Sequence, residues 1–431
     1  MGEFSSNVML VAKTLKNAHC RIIADDDRAG RKHAREVEVS LRPYVANVEL
    51  LKPADGKDAS DHFASGLGLD EFLPLGEETL ESTEDGVTPI DEKESARLHR
   101  SDMGNAHLFA TMHGSDVRFD HGRSRWLVWT GHSWAADRDG RLVRMAEEVA
   151  QKRFADAWNI RDKEEARKAA KFAIGSENRN RVMAMLELSK SQPPIADSGE
   201  NWDANPTLLG VSNGVVDLRT GQLRDGCRDD RISMRTGISF DSEASCNRWL
   251  AFLDEVFDGN LELIDYISRA VGYSITGHVG EQCLFMLYGV GSNGKSTFQN
   301  AIRQMMGNYG YNMPFTTLEM NRRSSVPNDL AALVDRRLVT SSETNEAVRL
   351  NEGRVKALCG GDPITARFLN REFFTFHPVA KFWLGVNHKP RVTDDSHGFW
   401  RRVRLIPFTR QFPLDKTLES QLNAEAPGIL R

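Results

Sequence analysis

The sequence predicts an α/β protein of two or three domains, and three observations carry that expectation. An apolar run of strand length, Cys283-Leu-Phe-Met-Leu-Tyr288, stops at Gly289, and a helical pattern follows at Ala301, Ile302, Met305 and Met306. Two further apolar, strand-length runs, 337–343 and 380–387, each end in a polar side chain. Near the amino end, residues 8–74 alternate helical and strand patterns, as a small α/β unit does. The length of 431 residues sets the domain count.

Composition excludes several classes. Hydrophobic and charged contents of 40% and 27% describe an ordinary globular chain. A formal net charge of -5 argues against a wholesale polyanion binder, so nucleic-acid contacts would have to come from local patches. The five cysteines are scattered without a C-x-x-C pair, which disfavours a zinc ribbon and fits a reducing cytoplasm. The first residues lack a basic n-region with a long apolar core, and the apolar runs are too short for membrane spans.

The elements follow in order. Arg21-Ile-Ile-Ala24 reads as a strand running into Asp25-Asp26-Asp27, and Asp25 and Asp27 at alternate positions can share Mg²⁺. A helix through His33, Val37 and Leu41 precedes a second strand over 45–51. Residues 76–94 carry eight acidic side chains against Lys93 and read as a solvated linker, within a boundary segment of 76–98. Next, Trp126 to Trp129 and Trp134 predict a hairpin around Thr130-Gly131-His132. Residues 141–190 read as helical, ended by Pro193-Pro194, and the tryptophans read as core anchors rather than base-stacking platforms. A second hairpin is expected around Asn213-Gly214 and Thr220-Gly221. Trp249, Phe252, Leu253 and Val256 then mark an amphipathic helix, with another through Leu263, Ile264, Ile267 and Val271. The last domain is expected from about 275 to 431.

That last domain carries the chemistry. Gly289, Gly294, Lys295 and Ser296 fit G-x-x-x-x-G-K-[ST] between a strand and a helix, the context a phosphate loop demands. Backbone N–H groups from Gly289, Gly291, Ser292, Asn293, Gly294 and Thr297 can surround phosphate oxygens at a helix N-terminus. Lys295, expected in a surface loop, can reach the β- and γ-phosphates of ATP, and Ser296 can hold Mg²⁺. Glu343, ending the second strand, can polarise water or hold Mg²⁺ through water, and Asn387, ending the third, can orient that water. Arg401 and Arg402 precede a fourth strand and can stabilise the γ-phosphate of a neighbouring subunit, with Arg402 favoured as the more firmly held. Residues 351–410 hold eleven Lys and Arg against five Asp and Glu, with Phe368, Phe373, Phe374 and Phe376 interleaved, the composition of a single-strand binding channel.

In order, the phosphate loop, Glu343, Asn387-His-Lys-Pro390 and Phe399-Trp-Arg-Arg402 resemble the motifs of superfamily 3 helicases, most of all the phage/plasmid-type primase–helicases. Val355 to Arg367 with Arg371-Glu-Phe-Phe374 is similar to their extra motif, which feeds a hairpin into a DNA channel and would put Lys356, Arg367, Arg371 and Lys381 near DNA. Asp102-Met-Gly-Asn-Ala106, the Trp-rich hairpin and 213–218 look like their α+β helper domain, here over 99–274. The resemblance implies an AAA+ ATPase domain at 275–431 and a homo-hexamer that hydrolyses ATP between subunits. It also implies translocation on single-stranded DNA beside other replication proteins, in the cytoplasm of a bacterial host. A replication initiator or remnant that binds DNA and ATP without unwinding stays open, as does a phosphate-loop kinase.

The amino-terminal segment with Gly56-Lys-Asp-Ala-Ser-Asp61 resembles the second half of a Toprim domain, here 1–75. Toprim catalysis uses a Glu well upstream of the Asp pair, and only Glu3 lies upstream here. The chain therefore reads as starting inside that fold, with a partial primase domain and no expected primer synthesis. It also ends, at Ala426 to Arg431, where similar proteins run on.

Overall fold

A computed structural model describes residues 18–25, 30–31, 34, 37–38, 45, 47–75, 99–320, 328–342, 349–369, 371–388 and 397–431. The chain forms two compact units, 1–87 and 88–431.

In the first unit, β1 (His19–Ile23) runs parallel to β2 (Asn47–Lys52), and β3 (Leu73–Pro74) pairs antiparallel with β2. Asp25 lies exposed just past β1, whereas Asp27 is outside the described residues. The Asp58 carboxylate caps α1 (Ala59–Ala64) by accepting from Asp61 N–H at 2.9 Å. His62 is fully buried, bonded to Ala54 N–H and Gly68 carbonyl, and stacked on Phe72 at 3.8 Å. It is a satisfied core histidine.

The second unit begins with α2 (Asp102–His113), then β4 (Val117–Asp120), β5 (Arg125–Trp129) and β6 (Trp134–Ala136). α3 (Arg141–Trp158), α4 (Lys163–Ser176) and α5 (Arg179–Ser189) follow, and β7 (Ala196–Asp197) completes a sheet in the order β6-β5-β4-β7. The expected Trp hairpin is present, with Trp129 opposite Trp134. Trp129, Trp134 and Trp202 are buried together, and the Trp134 indole N–H donates to Arg228 carbonyl at 3.1 Å. These rings are core anchors, closed to a base. β8 (Leu208–Val211), β9 (Gly214–Asp217) and β10 (Gln222–Arg224) form an antiparallel meander, and α6 (Asn247–Phe257) and α7 (Leu261–Ile275) follow.

The largest sheet is parallel throughout. Its strands are β11 (Leu284–Tyr288), β12 (Gly310–Asn312), β13 (Leu338–Ser342), β16 (Lys381–Val386) and β17 (Val403–Pro407), in the order β12-β13-β16-β11-β17. α8 (Lys295–Met305) leads from β11 toward β12, and α9 (Asn328–Ala331) precedes β13. Between β13 and β16 come α10 (Glu352–Gly360) and a hairpin of β14 (Ile364–Ala366) and β15 (Phe374–Phe376). α11 (His397–Trp400) precedes β17, and α12 (Leu418–Ala424) and α13 (Ala426–Leu430) end the chain.

Sheet alternation explains the two cores. Phe285, Leu287, Leu338 and Trp383 face one layer, with α6, α7 and α8; Leu284, Met286, Val339, Phe382 and Leu384 face the other, with Val355, Leu358 and Phe399. Apolar runs buried on both faces are what parallel central strands require.

Leu209, Val211, Val216 and the buried faces of α6 and α7, in the stretch the sequence groups with the helper domain, share their core with this sheet, whereas 108–195 hold a core of their own. Arg337 joins the parts. It is 2% exposed, its guanidinium donates to the carbonyls of Ile275, Asn205 and Leu208, and it lies 4.6 Å over the buried Tyr309 ring. The Tyr309 hydroxyl accepts from Gly210 N–H at 3.1 Å.

Candidate functional site

At the carboxyl end of β11 the chain turns over a loop that only special backbone can make. Gly289 has φ +158, and a Cβ there would meet the Phe408 carbonyl at 2.1 Å. Gly294 has φ +85, and a Cβ would press on Val256 and Phe252. Lys295 opens α8, and Phe298, fully buried, anchors that helix against Trp249 and Trp383.

Lys295 is 7% exposed and so differs from the expected surface-loop lysine; burial pulls its pKa below the ordinary lysine value. Its ammonium donates to Gly289 carbonyl at 2.5 Å and to Asn293 Oδ1 at 2.9 Å. Asn293, 3% exposed, donates in turn to Phe408 carbonyl at 3.0 Å. The segment after β17 also binds the loop, through Phe412 N–H to Ser292 carbonyl at 2.8 Å. Ser296 is exposed at the start of α8, and Thr297 half-buried.

The sheet order brings further candidates to the same edge. β16 lies between β11 and β13, and the register Tyr288↔Val386 sets Asn387, which is exposed, beside Gly289. Ser342, last in β13, pairs with Gly385; the next residue, Glu343, lies outside the described residues. Sequence reasoning missed Gln299. This side chain, 3% exposed on α8, donates to Ser341 carbonyl at 3.1 Å and Trp383 carbonyl at 2.7 Å, and accepts from the Ser342 hydroxyl at 2.9 Å. A polar residue one turn after Lys295, among the apolar positions Phe298 and Ile302, was the available signal.

Arg401 and Arg402 lie at the other edge. Leu284 N–H donates to Arg402 carbonyl, so both arginines stand at the amino end of β11 and β17, about 15 Å of strand from the loop. Arg401 is exposed, and Arg402 is half-buried and tied to its own Gly398 carbonyl.

The β14–β15 hairpin carries Phe368, Leu369 and Phe373 at its tip, 46%, 76% and 59% exposed, and the Arg367 guanidinium lies 4.7 Å over Phe373. Arg371 is exposed there and Lys356 is half-buried on α10. Lys381 does not belong with them. It is 2% exposed, donates to the carbonyls of Thr276, His278 and Val379, and burial pulls its pKa down to about 7. An apolar strand on both sides swallowed the cation, so its expected DNA contact fails.

A separate cavity of about 380 Å³ is lined by Arg123, Asp203, Asp335, Arg337 and His377, among others. Arg123 pairs with Asp335 at 2.7 Å, yet burial still raises the Asp335 pKa to about 6. Among the described residues, no group of three or more His, Cys, Asp or Glu could hold a metal, and no helix is long and apolar enough to cross a membrane.

The D5 N terminal like family matches residues 106–258, and a family of unknown function (DUF5906) matches 287–402. A protein of Acanthamoeba polyphaga mimivirus, named as a helicase, is 29% identical over 280 residues, 63% of this chain and 28% of that protein. One of Frog virus 3, also named as a helicase, is 25% identical over 50% of this chain and 29% of its own length. A protein of African swine fever virus, named as a primase, is 28% identical over 48% of this chain and 22% of its own length. The chain thus spans less than a third of these relatives. Among solved structures, the carboxy-terminal region of NrS-1 matches with a TM-score of 0.45 at 11% identity, over 75% of this chain and 67% of that one. Through its D5-like segment and its viral relatives named as helicases and primases, the chain resembles replicative helicase and primase proteins.

Proposed function

We propose that the chain is an ATP-dependent DNA helicase module of a replication system, with an AAA+-type ATPase domain. The observation that carries this is the parallel sheet order, with β16 between the phosphate-loop strand and β13, which gathers Lys295, Ser296 and Asn387 at one edge. Open α/β sheets bind ligands at the carboxyl ends of their strands.

The residues suit a polyphosphate. A cradle kept open by glycines ends at a helix N-terminus, and a buried ammonium lies inside it. Lys295 would exchange its bonds to Gly289 and Asn293 for phosphate oxygens, and Ser296 would hold Mg²⁺, which neutralises phosphate charge when bound. Asn387 would orient the attacking water, with Glu343 polarising it. Arg401 and Arg402 lie too far along the sheet to serve their own loop, so they would serve a neighbour's in a ring, read as a hexamer. The hairpin tip, with Arg367, Arg371 and Phe373, would track single-stranded DNA. Asp25 remains the described metal candidate of a Toprim-like unit.

The deciding experiment measures ATP turnover with and without single-stranded DNA, together with oligomer mass. Stimulated turnover by an assembled ring supports the helicase reading. Turnover indifferent to DNA, or a fully active monomer, rejects it.

A further inference from the structure

Gln299 has no role in the reading above, yet its placement is exacting. It sits one turn beyond Lys295 on α8, and both of its amide N–H groups and its carbonyl oxygen reach the sheet. The bonds span two strands: Ser341 and Ser342 end β13, and Trp383 lies in β16. Gly385 leaves the space, because a Cβ there would come within 2.9 Å of Gln299 Oε1 and 3.2 Å of Ser342 Oγ.

Packing alone does not call for an amide. Phe298, Ile302 and Met305 already hold this helix to the core, and burying an amide costs free energy that only its bonds offset. What the amide adds is direction. Three bonds fix the height and rotation of α8 against the carboxyl end of β13 and the middle of β16, the strand from which Asn387 emerges.

We propose that Gln299 is a positioning residue for ATP hydrolysis, holding the helix that carries Lys295 in register with the strand ends beside the phosphate loop. The inference rests on the nucleotide reading above. It acts through Ser342 and the two carbonyls, without touching substrate. Its loss should therefore spare binding, which the loop backbone dominates, and slow turnover, which depends on relative placement within fractions of an ångström.

The test compares Gln299→Met, similar in length but unable to make the bonds, with the unaltered protein. Kd for a non-hydrolysable ATP analogue should stay within about threefold, while kcat falls about tenfold or more and KM hardly moves. Ser342→Ala, at an exposed strand end, decides the matter should Gln299→Met fail to fold. It should also lower kcat, and the double variant should be no slower than Gln299→Met alone. In Gln299→Glu the carboxylate can accept from Ser342 but donates to a carbonyl only when protonated. Its kcat should rise as pH falls, a slope absent from the unaltered protein. Unaltered kcat in a folded Gln299→Met, a loss confined to KM, or additive effects in the double variant would overturn the proposal. Lys295→Ala separates the two readings: full turnover there rejects the nucleotide site itself, whereas a dead Lys295→Ala beside a normal Gln299→Met rejects only the role of Gln299.

Discussion

Asn293 ties Lys295 to the far side of the loop: its amide oxygen takes the ammonium at 2.9 Å, and its amide nitrogen holds Phe408 carbonyl at 3.0 Å. The end of β17 and the loop cation are thus joined through one buried side chain. Were the ammonium displaced, Asn293 would lose its bond to Lys295 and keep the one to Phe408 carbonyl.

Lys295→Ala is expected to abolish ATP hydrolysis. Because Lys295 is buried, the variant also leaves Asn293 Oδ1 short of a partner, a cost of about 1–3 kcal/mol. Circular dichroism should show an unaltered fold and a modestly lower Tm. Turnover near the starting rate would reject the phosphate-loop assignment.

Glu343→Gln is expected to preserve ATP binding and slow hydrolysis by about two orders of magnitude or more, since the lost interaction matters chiefly in the transition state. Asn387→Ala should act in the same direction. Single-turnover kinetics with a binding titration check both, and lost binding at unchanged kcat would show a different role.

Arg401→Ala subunits mixed with Lys295→Ala subunits should recover part of the activity that each lacks alone. A trans-acting arginine is worth about 10³–10⁵ in rate. Exposure favours Arg401 over Arg402, whose guanidinium is tied to Gly398 carbonyl. No recovery in proven mixed rings would remove the shared site.

Phe373→Ala should weaken single-stranded DNA binding by about 1–3 kcal/mol and leave DNA-free turnover alone, as loss of one stacking platform does. Fluorescence anisotropy with a labelled oligonucleotide measures it. Unchanged affinity would take the hairpin tip out of the DNA path.

Asp335→Asn should change how stability depends on pH. Burial raises the Asp335 pKa from 3.8 to about 6, so the folded state keeps a proton that the unfolded state has lost. The stabilisation this proton gives is full below about pH 4 and gone above about pH 6. Asn tolerates the φ of +60 at this position, and it does not titrate. The Tm of the variant relative to the unaltered protein should therefore be higher at pH 7 than at pH 4.5; a constant difference would mean that Asp335 is ionised throughout.

The sequence made the regular elements of the second unit legible because their periodicities are strong. The helices at 141–189, the two hairpins and the strand before Gly289 are where alternation and turn residues put them. What escaped was burial of polar groups. Lys381 reads as one more cation in a basic stretch, and nothing local says that its strand is covered on both faces. Lys295 and Gln299 were hidden likewise, since their partners lie on other strands and a one-dimensional pattern carries no tertiary hydrogen bonds. Which core receives α6 and α7 was hidden for a related reason: both are amphipathic, but periodicity does not name the face that receives them.

The buried Arg337 has a consequence for how such chains can be cut and recombined. Cutting ahead of the sheet near residue 275 would strip a guanidinium of its acceptors at Asn205 and Leu208, and Tyr309 of its bond to Gly210. An uncompensated buried charge is among the costliest things a fragment can inherit. The smallest autonomous unit around this sheet is therefore longer than its motifs. Transplanting the glycine-rich loop and its strands into another scaffold requires carrying the preceding meander and two helices along as ballast.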